Sequence, residues 1–222
     1  TLTIEAGTQL NVTEDVTITI DGDLDVQGTT ADPVTIWGSW VADTSVQARW
    51  QGFLLNSGSS ADVAHTDISD SRGGFDVEPG SSLSIEATNF TDTIIGVWAK
   101  GSVSGSGFSC DSVTTSCLRV DGTTVLTAVV SSNSAEVVHV HNSGNANIGL
   151  TTSTSDADVI VLDDGSTFYG EVHAEEFTRL IRGSGVVSAT VMPTEFSSGE
   201  ILIEADSLSG LLVPDAWCGT QC

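Results

Sequence analysis

Apolar and polar residues alternate in short segments along this chain, as in Val16-x-Ile18-x-Ile20 and Leu83-x-Ile85. A period of two is the pattern of a β-strand that buries one face. Longer stretches with the i, i+3, i+4, i+7 spacing of an amphipathic helix do not occur. The sequence therefore predicts an all-β fold.

The alternating segments recur with a step of about 21 residues. The first column of recurring apolar residues is Phe53, Phe75, Val97, Leu118, Val138, Ile160, Ile181 and Leu202. The second is Val63, Leu83, Val103, Val125, Ile148, Phe168, Val186 and Leu208, and a looser third is Ile68, Phe90, Phe108, Val129, Leu150, Phe177 and Phe196. Ser, Asn, Asp, Gly and Thr fill the gaps, as turns require.

Three short strands per repeat predict a three-sided parallel β-solenoid (β-helix) of about ten coils of about 21 residues each. An immunoglobulin-like sandwich, the main rival, does not predict a fixed step. We expect one domain over 1–222. It comprises N-terminal coils over 1–36, a Trp-rich loop over 37–50, regular coils over 51–204, and a disulfide-bonded cap over 205–222.

The first 55 residues or so carry a family pattern. The run Leu2-Thr-Ile-Glu-Ala-Gly-Thr-Gln-Leu10, then Ile20-Asp-Gly-Asp-Leu-Asp-Val-Gln-Gly28, Asp32-Pro-Val-Thr-Ile36 and Trp50-Gln-Gly-Phe53, resembles the opening coils of exported right-handed parallel β-helix repeat proteins. The resemblance implies a right-handed solenoid and export. Members of that family include surface proteins, adhesins and polysaccharide-processing enzymes, so the resemblance implies no single activity.

The chain is strongly acidic: 6 Lys and Arg stand against 30 Asp and Glu in 222 residues, a formal net charge of −24. This field repels phosphate backbones and anionic lipids, so we expect no nucleic-acid partner. We expect no membrane insertion either, because no apolar run is long enough to span a bilayer. Two explanations of the acidity stay open, namely solubility in high salt and an extracellular protein that is simply acidic.

The cysteines fall into two local pairs, Cys110 with Cys117 and Cys218 with Cys222. Neither pair has the spacing of a zinc site, so two disulfides and an oxidising, extracellular or cell-surface setting are predicted. Two sequons, at Asn11 and Asn89, are the candidate glycosylation sites of an exported protein.

Aligning the repeats predicts which outward side chains lie next to each other. One predicted column is Asn56, Glu78, Lys100, Asp121, His141 and Asp163, and its neighbour is Leu54, Asp76, Trp98, Arg119, His139, Val161 and Arg182. Alternating charges make this a cross-strand ladder. His139 and His141, with Asp121 and Asp163 on adjacent coils, are weak candidates for a divalent metal site. The favoured interpretation is that both imidazoles belong to the ladder and that no metal or other cofactor is bound.

Two further regions are candidate interaction surfaces. Trp37, Trp40 and Trp50 lie where the repeat is interrupted, and could stack on sugars, contact a neighbouring subunit, or shield the next coil. The C-terminal part is apolar through Leu211, Leu212 and Trp217, so we expect it to fold over the last coil or dock onto a neighbour. Thr1 directly precedes a predicted strand, so we expect that end to be covered by another subunit or to have lost a preceding domain.

No catalytic motif accompanies these features, and the 30 acids guarantee carboxylate pairs by chance. We therefore predict a non-enzymatic, extracellular structural protein whose unlike ends meet head to tail in a cell-surface filament or layer. The alternatives are a carbohydrate-binding or polysaccharide-processing β-helix module, with glycans as partners, and a fragment of a longer surface adhesin.

Overall fold

The computed structural model describes residues 1–39, 49–154, 156–175, 177–191 and 203–204. Within these ranges the chain is all-β and contains no helix, so no helix could cross a membrane. The described strands, in chain order, are β1 Leu2–Glu5, β2 Gln9–Val12, β3 Thr17–Ile20, β4 Asp23–Gln27, β5 Val34–Gly38, β6 Gly52–Leu55, β7 Ser60–Ala64, β8 Thr66–Ser69, β9 Gly73–Val77, β10 Ser82–Glu86, β11 Thr88–Thr91, β12 Ile95–Ala99, β13 Ser102–Asp111, β14 Ser116–Val120, β15 Thr123–Ser132, β16 Glu136–Val140, β17 Asn145–Thr154, β18 Asp158–Leu162, β19 Thr167–Glu175, β20 Arg179–Gly183, β21 Val186–Val191 and β22 Ile203–Glu204.

The strands stack as a parallel β-solenoid of about eight turns, which confirms the prediction of an all-β parallel solenoid. Every paired strand in the described residues runs parallel to its neighbour, whereas a sandwich would be built from antiparallel hairpins. Each turn places one short strand in a 9-stranded sheet and the rest in a 13-stranded sheet. About ten turns were predicted, and most of the residues after 191 lie outside the described ranges.

The number of strands per turn changes along the solenoid. Early turns have two short strands in the larger sheet, such as β7 and β8. From β13 onward these two fuse into one long strand; β13, β15 and β17 have 10 residues each. Glycine lets β13 bend without ending, because Gly105 and Gly107 have φ of 136° and 118°.

The observed register confirms the first predicted column from Phe53 to Ile181. Its last member was wrong by one residue, since Ile181 pairs with Ile203 rather than Leu202. The second column was in register only between Leu83 and Val103. The observed partners of the others are Ala61 for Leu83, Leu126 for Ile148, Ala146 for Phe168 and Val187 for Phe168 on its other side. Val125 was wrong as well. Val103 stacks on Thr124, which is fully buried, and strand alternation then turns Val125 outward with 52% of its surface exposed.

Aromatic rings fill the interior of the early turns. Phe53 and Phe75 stack with ring centroids 4.9 Å apart, and Phe75 meets Phe90 edge to face at 6.3 Å. Trp50 packs edge to face on Phe53 at 5.5 Å and is fully buried. Phe53 and Phe75 come from successive turns, so their stacked rings join those turns through the core.

A corner of each turn uses the left-handed backbone region. Asp70, Asp92, Ser112 and Asn133 occupy equivalent places with φ between 53° and 59°. Short polar residues tolerate this conformation best among non-glycine residues. The backbone N–H of Asp92 donates to the carbonyl of Asp111 in the next turn at 3.1 Å, and Asn133 donates to Thr154 at 3.2 Å. The strand ladder thus continues through the corner.

A disulfide joins Cys110 in β13 to Cys117 in β14, with Cα atoms 5.8 Å apart, as the sequence predicted. Both cysteines are buried, and the bond closes the corner between the two sheets. Cys218 and Cys222 lie outside the described residues.

Replacing Gly107 by Ala should destabilise the fold strongly. A Cβ there would lie 1.8 Å from the carbonyl oxygen of Ala128, at a φ unfavourable for L side chains. Gly22→Ala is the matched control, because a Cβ at Gly22 has nothing within 4 Å and needs no left-handed backbone. Chemical denaturation should show a loss of at least about 2 kcal/mol for Gly107→Ala and almost none for Gly22→Ala. Equal stability of the two variants would contradict the bend geometry.

Removing the disulfide with Cys110→Ala and Cys117→Ala should cost about 2–3 kcal/mol of unfolding free energy, from the chain entropy of the short loop. Denaturation with and without a reductant measures this. Reductant should lower the unfolding free energy of the wild type by about this amount more than that of the double variant, which lacks the Cys110–Cys117 bond. A wild type insensitive to reductant would contradict the bond.

Candidate functional site

One face of the solenoid concentrates the charged and chemically versatile side chains. It is the outer side of the 9-stranded sheet from β9 to β20, and we call it the charged face. Its members are the outward residues of each strand and the residue that follows it: Asp76, Glu78, Trp98, Lys100, Ser116, Arg119, Asp121, Glu136, His139, His141, Asp158, Val161, Asp163, Arg179 and Arg182.

The charged face holds four of the six Lys and Arg residues of the chain, and two of its four His residues. Such a concentration requires every strand to present the same positions outward. The strands achieve this because adjacent second and third residues are both buried, as Val137 and Val138 are in β16. The first and fourth residues of the strand then both lie on the outer side of the sheet.

At one end of the face, Trp98 lies between two cations. The Lys100 ammonium is 4.0 Å from the Trp98 ring centroid and the Arg119 guanidinium carbon is 4.5 Å away, both in cation–π geometry. The indole N–H of Trp98 donates to Asp121 at 2.9 Å. Lys100 also bridges to Asp76 and Glu78 in the preceding turn, at 2.8 and 2.6 Å.

In the middle of the face, two imidazoles are held among carboxylates. His139 lies 3.1 Å from Glu136 through Nδ1 and 3.4 Å from Asp163 through Nε2. His141 lies 3.2 Å from Asp121 and 3.0 Å from the other oxygen of Asp163. The two rings meet edge to face with centroids 5.5 Å apart.

At the other end, two arginines converge on a buried carboxylate. Arg179 donates two hydrogen bonds to Asp158, from Nε at 2.5 Å and from a second nitrogen at 2.8 Å. Arg182 lies 3.1 Å from Asp158 and 3.3 Å from Glu136. The Asp158 side chain is only 5% exposed, and two guanidinium groups compensate the cost of burying its charge.

These contacts shift the pKa of several groups. The hydrogen bond to Glu136 raises the pKa of His139. Partial burial opposes ionisation of Glu136, but hydrogen bonds from His139 and Ser116 hold its pKa below the usual value. Burial raises the pKa of Asp76, which shares one ammonium with Glu78. Partial burial works against the Lys100 charge, yet hydrogen bonds to Asp76 and Glu78 raise the pKa of Lys100.

The two outward columns predicted from the sequence match the observed register and contacts. The structure brings His139, His141, Asp121 and Asp163 together as expected. Among the residues that the structure describes, no three His, Cys, Asp or Glu side chains are arranged to hold a metal ion. The contacts between the two imidazoles and the two carboxylates join successive turns at 3.0–3.4 Å.

Other predicted site residues lie apart from the charged face. Trp50 is in the core and donates to the Ser69 carbonyl at 3.1 Å, so its ring is not available to a sugar or a partner. Trp37, at the end of β5, is half-buried. Asn11 accepts a hydrogen bond from Ser39, and Asn89 donates to Asp67 at 2.7 Å; both asparagines are exposed. Trp40, Leu211, Leu212 and Trp217 lie outside the described residues.

Sequence reasoning missed Glu136, Asp158 and Arg179, although they complete the network. These residues hold the first position of their strands, and the doubled buried pair that follows turns them outward. The signal was present as two consecutive apolar residues in strands such as Glu136-Val-Val-His139. Sequence reasoning also missed Asp156, whose carboxylate is buried with 2% of the residue exposed. It accepts hydrogen bonds from the Ser153 hydroxyl at 2.8 Å and from the Ser134 N–H at 2.6 Å.

Comparison with protein-family models, curated proteins and solved structures finds no match to this chain.

Protonation of His139 should stabilise the fold on the acid side of neutrality. The pKa of His139 is raised from 6.5, so its contribution is complete below about 6.5 and is lost as the pH rises through the folded-state value. The pKa of Glu136 is lowered from 4.5, so its contribution is complete above about 4.5 and is lost as the pH falls. Wild type should therefore exceed His139→Gln in thermal stability most between about pH 5 and 6.5.

Thermal unfolding of both proteins from pH 4.5 to 9 tests this window. The difference between them should shrink steadily above pH 6.5. His173→Gln, which removes an imidazole paired with Glu171 on the other sheet, is the control for loss of a histidine. A wild-type advantage that is constant with pH would contradict the contacts assigned to His139.

Proposed function

We propose that this protein is a non-catalytic, extracellular structural protein. Its solenoid, right-handed as the family resemblance implies and three-sided as the repeat predicts, is a rigid subunit that assembles end to end into a cell-surface filament or layer. The observation that carries this proposal is the parallel strand ladder, in which β1, β2 and β3 pair on one side only among the described residues.

Strands β1, β2 and β3 each pair on one side only within the described residues. The core is also open there. Leu2 is 50% exposed, and Ile4 and Ile18 are partly exposed, whereas their stacked partners Val26 and Phe53 are at most 2% exposed. An unpaired edge beside an open apolar core is a template for further strands. A second solenoid end supplies such strands in register.

The charged face supports a structural role. Its imidazoles, carboxylates and cations contact one another across successive turns, through 2.5–3.4 Å contacts from Lys100 to Arg179. Such pairs each contribute about 0.2–1 kcal/mol to a sheet. Groups committed to one another in this way stiffen the wall, and stiffness is what a filament subunit needs.

The disulfide between Cys110 and Cys117 supports the extracellular setting. Disulfides form and persist in oxidising compartments. The exposed asparagines of both sequons are consistent with a glycoprotein.

A charge at the open end should block assembly. Leu2→Lys places an ammonium against the apolar edge of β1, which must be desolvated when another strand docks. We expect it to raise the protein concentration needed for filaments about tenfold, equivalent to about 1.4 kcal/mol. Electron microscopy and light scattering across a concentration series give the measurement. Filaments of the wild type should repeat axially at about 40 Å or more, for at least eight turns at about 4.8 Å each.

Val125→Lys is the matched control, since Val125 is also an apolar residue about half exposed, at 52%, but lies on the side wall in β15. It makes the same change of charge away from the open end. If the two variants raised that concentration equally, the edge of the first turn would not be the contact between subunits. Monodisperse short rods of the wild type at every concentration would overturn the proposed function.

A further inference from the structure

The charged face is complementary to itself when its order is reversed. With Asp and Glu counted as −1, Lys and Arg as +1 and His as neutral, the face has formal charges by strand of −2 at β9, +1 at β12, 0 at β14, −1 at β16, −2 at β18 and +2 at β20. Turning a second copy by 180° about an axis between β14 and β16 sets −2 against +2 at each end. It also sets +1 against −2, and 0 against −1. No two opposed strands then carry charges of the same sign.

The same face carries little of the net charge. Its six acids and four Lys and Arg sum to −2, so the rest of the chain, with 24 acids and two Arg, carries −22. Two copies that approach through other sides meet like charge. Two copies that approach through the charged face meet local charges of both signs, in an order that favours one antiparallel alignment.

The charges at the ends of the face remain available to a partner. The side chains of Asp76 and Glu78 are 33% and 35% exposed, and those of Arg179 and Arg182 are 37% and 35% exposed. Each can therefore keep its contacts within the chain and add one across an interface. Nearer the centre, His139 and Asp121 are less exposed, at 19% and 16%.

We infer that the charged face is a lateral docking surface for a second copy of this chain, related to the first by a two-fold axis. The contact pairs Asp76 and Glu78 of one copy with Arg179 and Arg182 of the other, twice. Six strands at about 4.8 Å spacing make a patch about 24 Å long, which corresponds to a small, weak interface. In an assembly, many such contacts along two filaments add up. This inference goes beyond end-to-end assembly and does not depend on it.

Sedimentation velocity of the Leu2→Lys protein, whose end is blocked, tests the lateral contact separately. Association should be greatest at intermediate ionic strength. At low salt the net charge, −24 in the wild type and one unit less negative in Leu2→Lys, repels at long range. Near about 0.1 M the Debye length falls to about 10 Å, and near 1 M the contact pairs are themselves screened. A protein that stays monomeric at high concentration through this whole range would overturn the inference.

A charge swap in the same background identifies the surface. Glu78→Lys removes one partner of Lys100 but leaves Asp76 to pair with it, and Arg182→Glu removes one partner of Asp158 but leaves Arg179 on it, so each variant retains one ion pair at its site. Each variant alone should lower the association constant at least about tenfold. Their equimolar mixture should restore it, because Lys at 78 in one copy faces Glu at 182 in the other.

Thermal unfolding within a few degrees of the parent protein establishes that both variants fold. If either folded variant associates as strongly as its parent, or if the mixture of two folded variants stays monomeric, the proposed pairing is wrong. Association with other charged molecules but not with a second copy would likewise overturn it.

Discussion

The parallel hydrogen-bonded ladder between successive turns is the constraint on which the rest of this structure depends. It stacks equivalent residues of neighbouring turns at about 4.8 Å. Every position must therefore suit the residues directly above and below it. Inside, this requirement produces columns such as Phe53 on Phe75; outside, it places side chains so close that like charges repel and opposite charges attract. A chain with 30 acids and 6 Lys and Arg can satisfy that condition in only a few columns.

The charged face is where the condition is met. Four of the six Lys and Arg residues lie there, each within 4 Å of a carboxylate, and His139 and His141 fill places between carboxylates. The remaining walls carry mostly one sign of charge, which opposes random contact between rods. Among the described residues, the charged face offers another copy charges of both signs, and β1, β2 and β3 offer it an unpaired strand edge. Both proposals rest on that physical distinction.

Much of this arrangement could be predicted from the sequence because the ladder makes the repeat visible. The first column was correct through Ile181, and both outward charge columns follow from it. The second column was wrong where the residue type does not show whether a side chain points into the core or out to solvent. In Thr123-Thr-Val-Leu126 the apolar Val125 is exposed, and Thr124 is inside, because the neighbouring turn fixes the register. Thr is small enough to be buried there, so its polarity was misleading.

The central claim is that the ladder of one subunit continues into the next. A cryo-electron microscopy reconstruction of the assembled protein tests it most directly. The account predicts strands spaced about 4.8 Å apart along the filament axis without interruption, with β1, β2 and β3 hydrogen-bonded to strands of the neighbouring subunit. Filaments joined through their side walls alone, with the first turn left open to solvent, would contradict it.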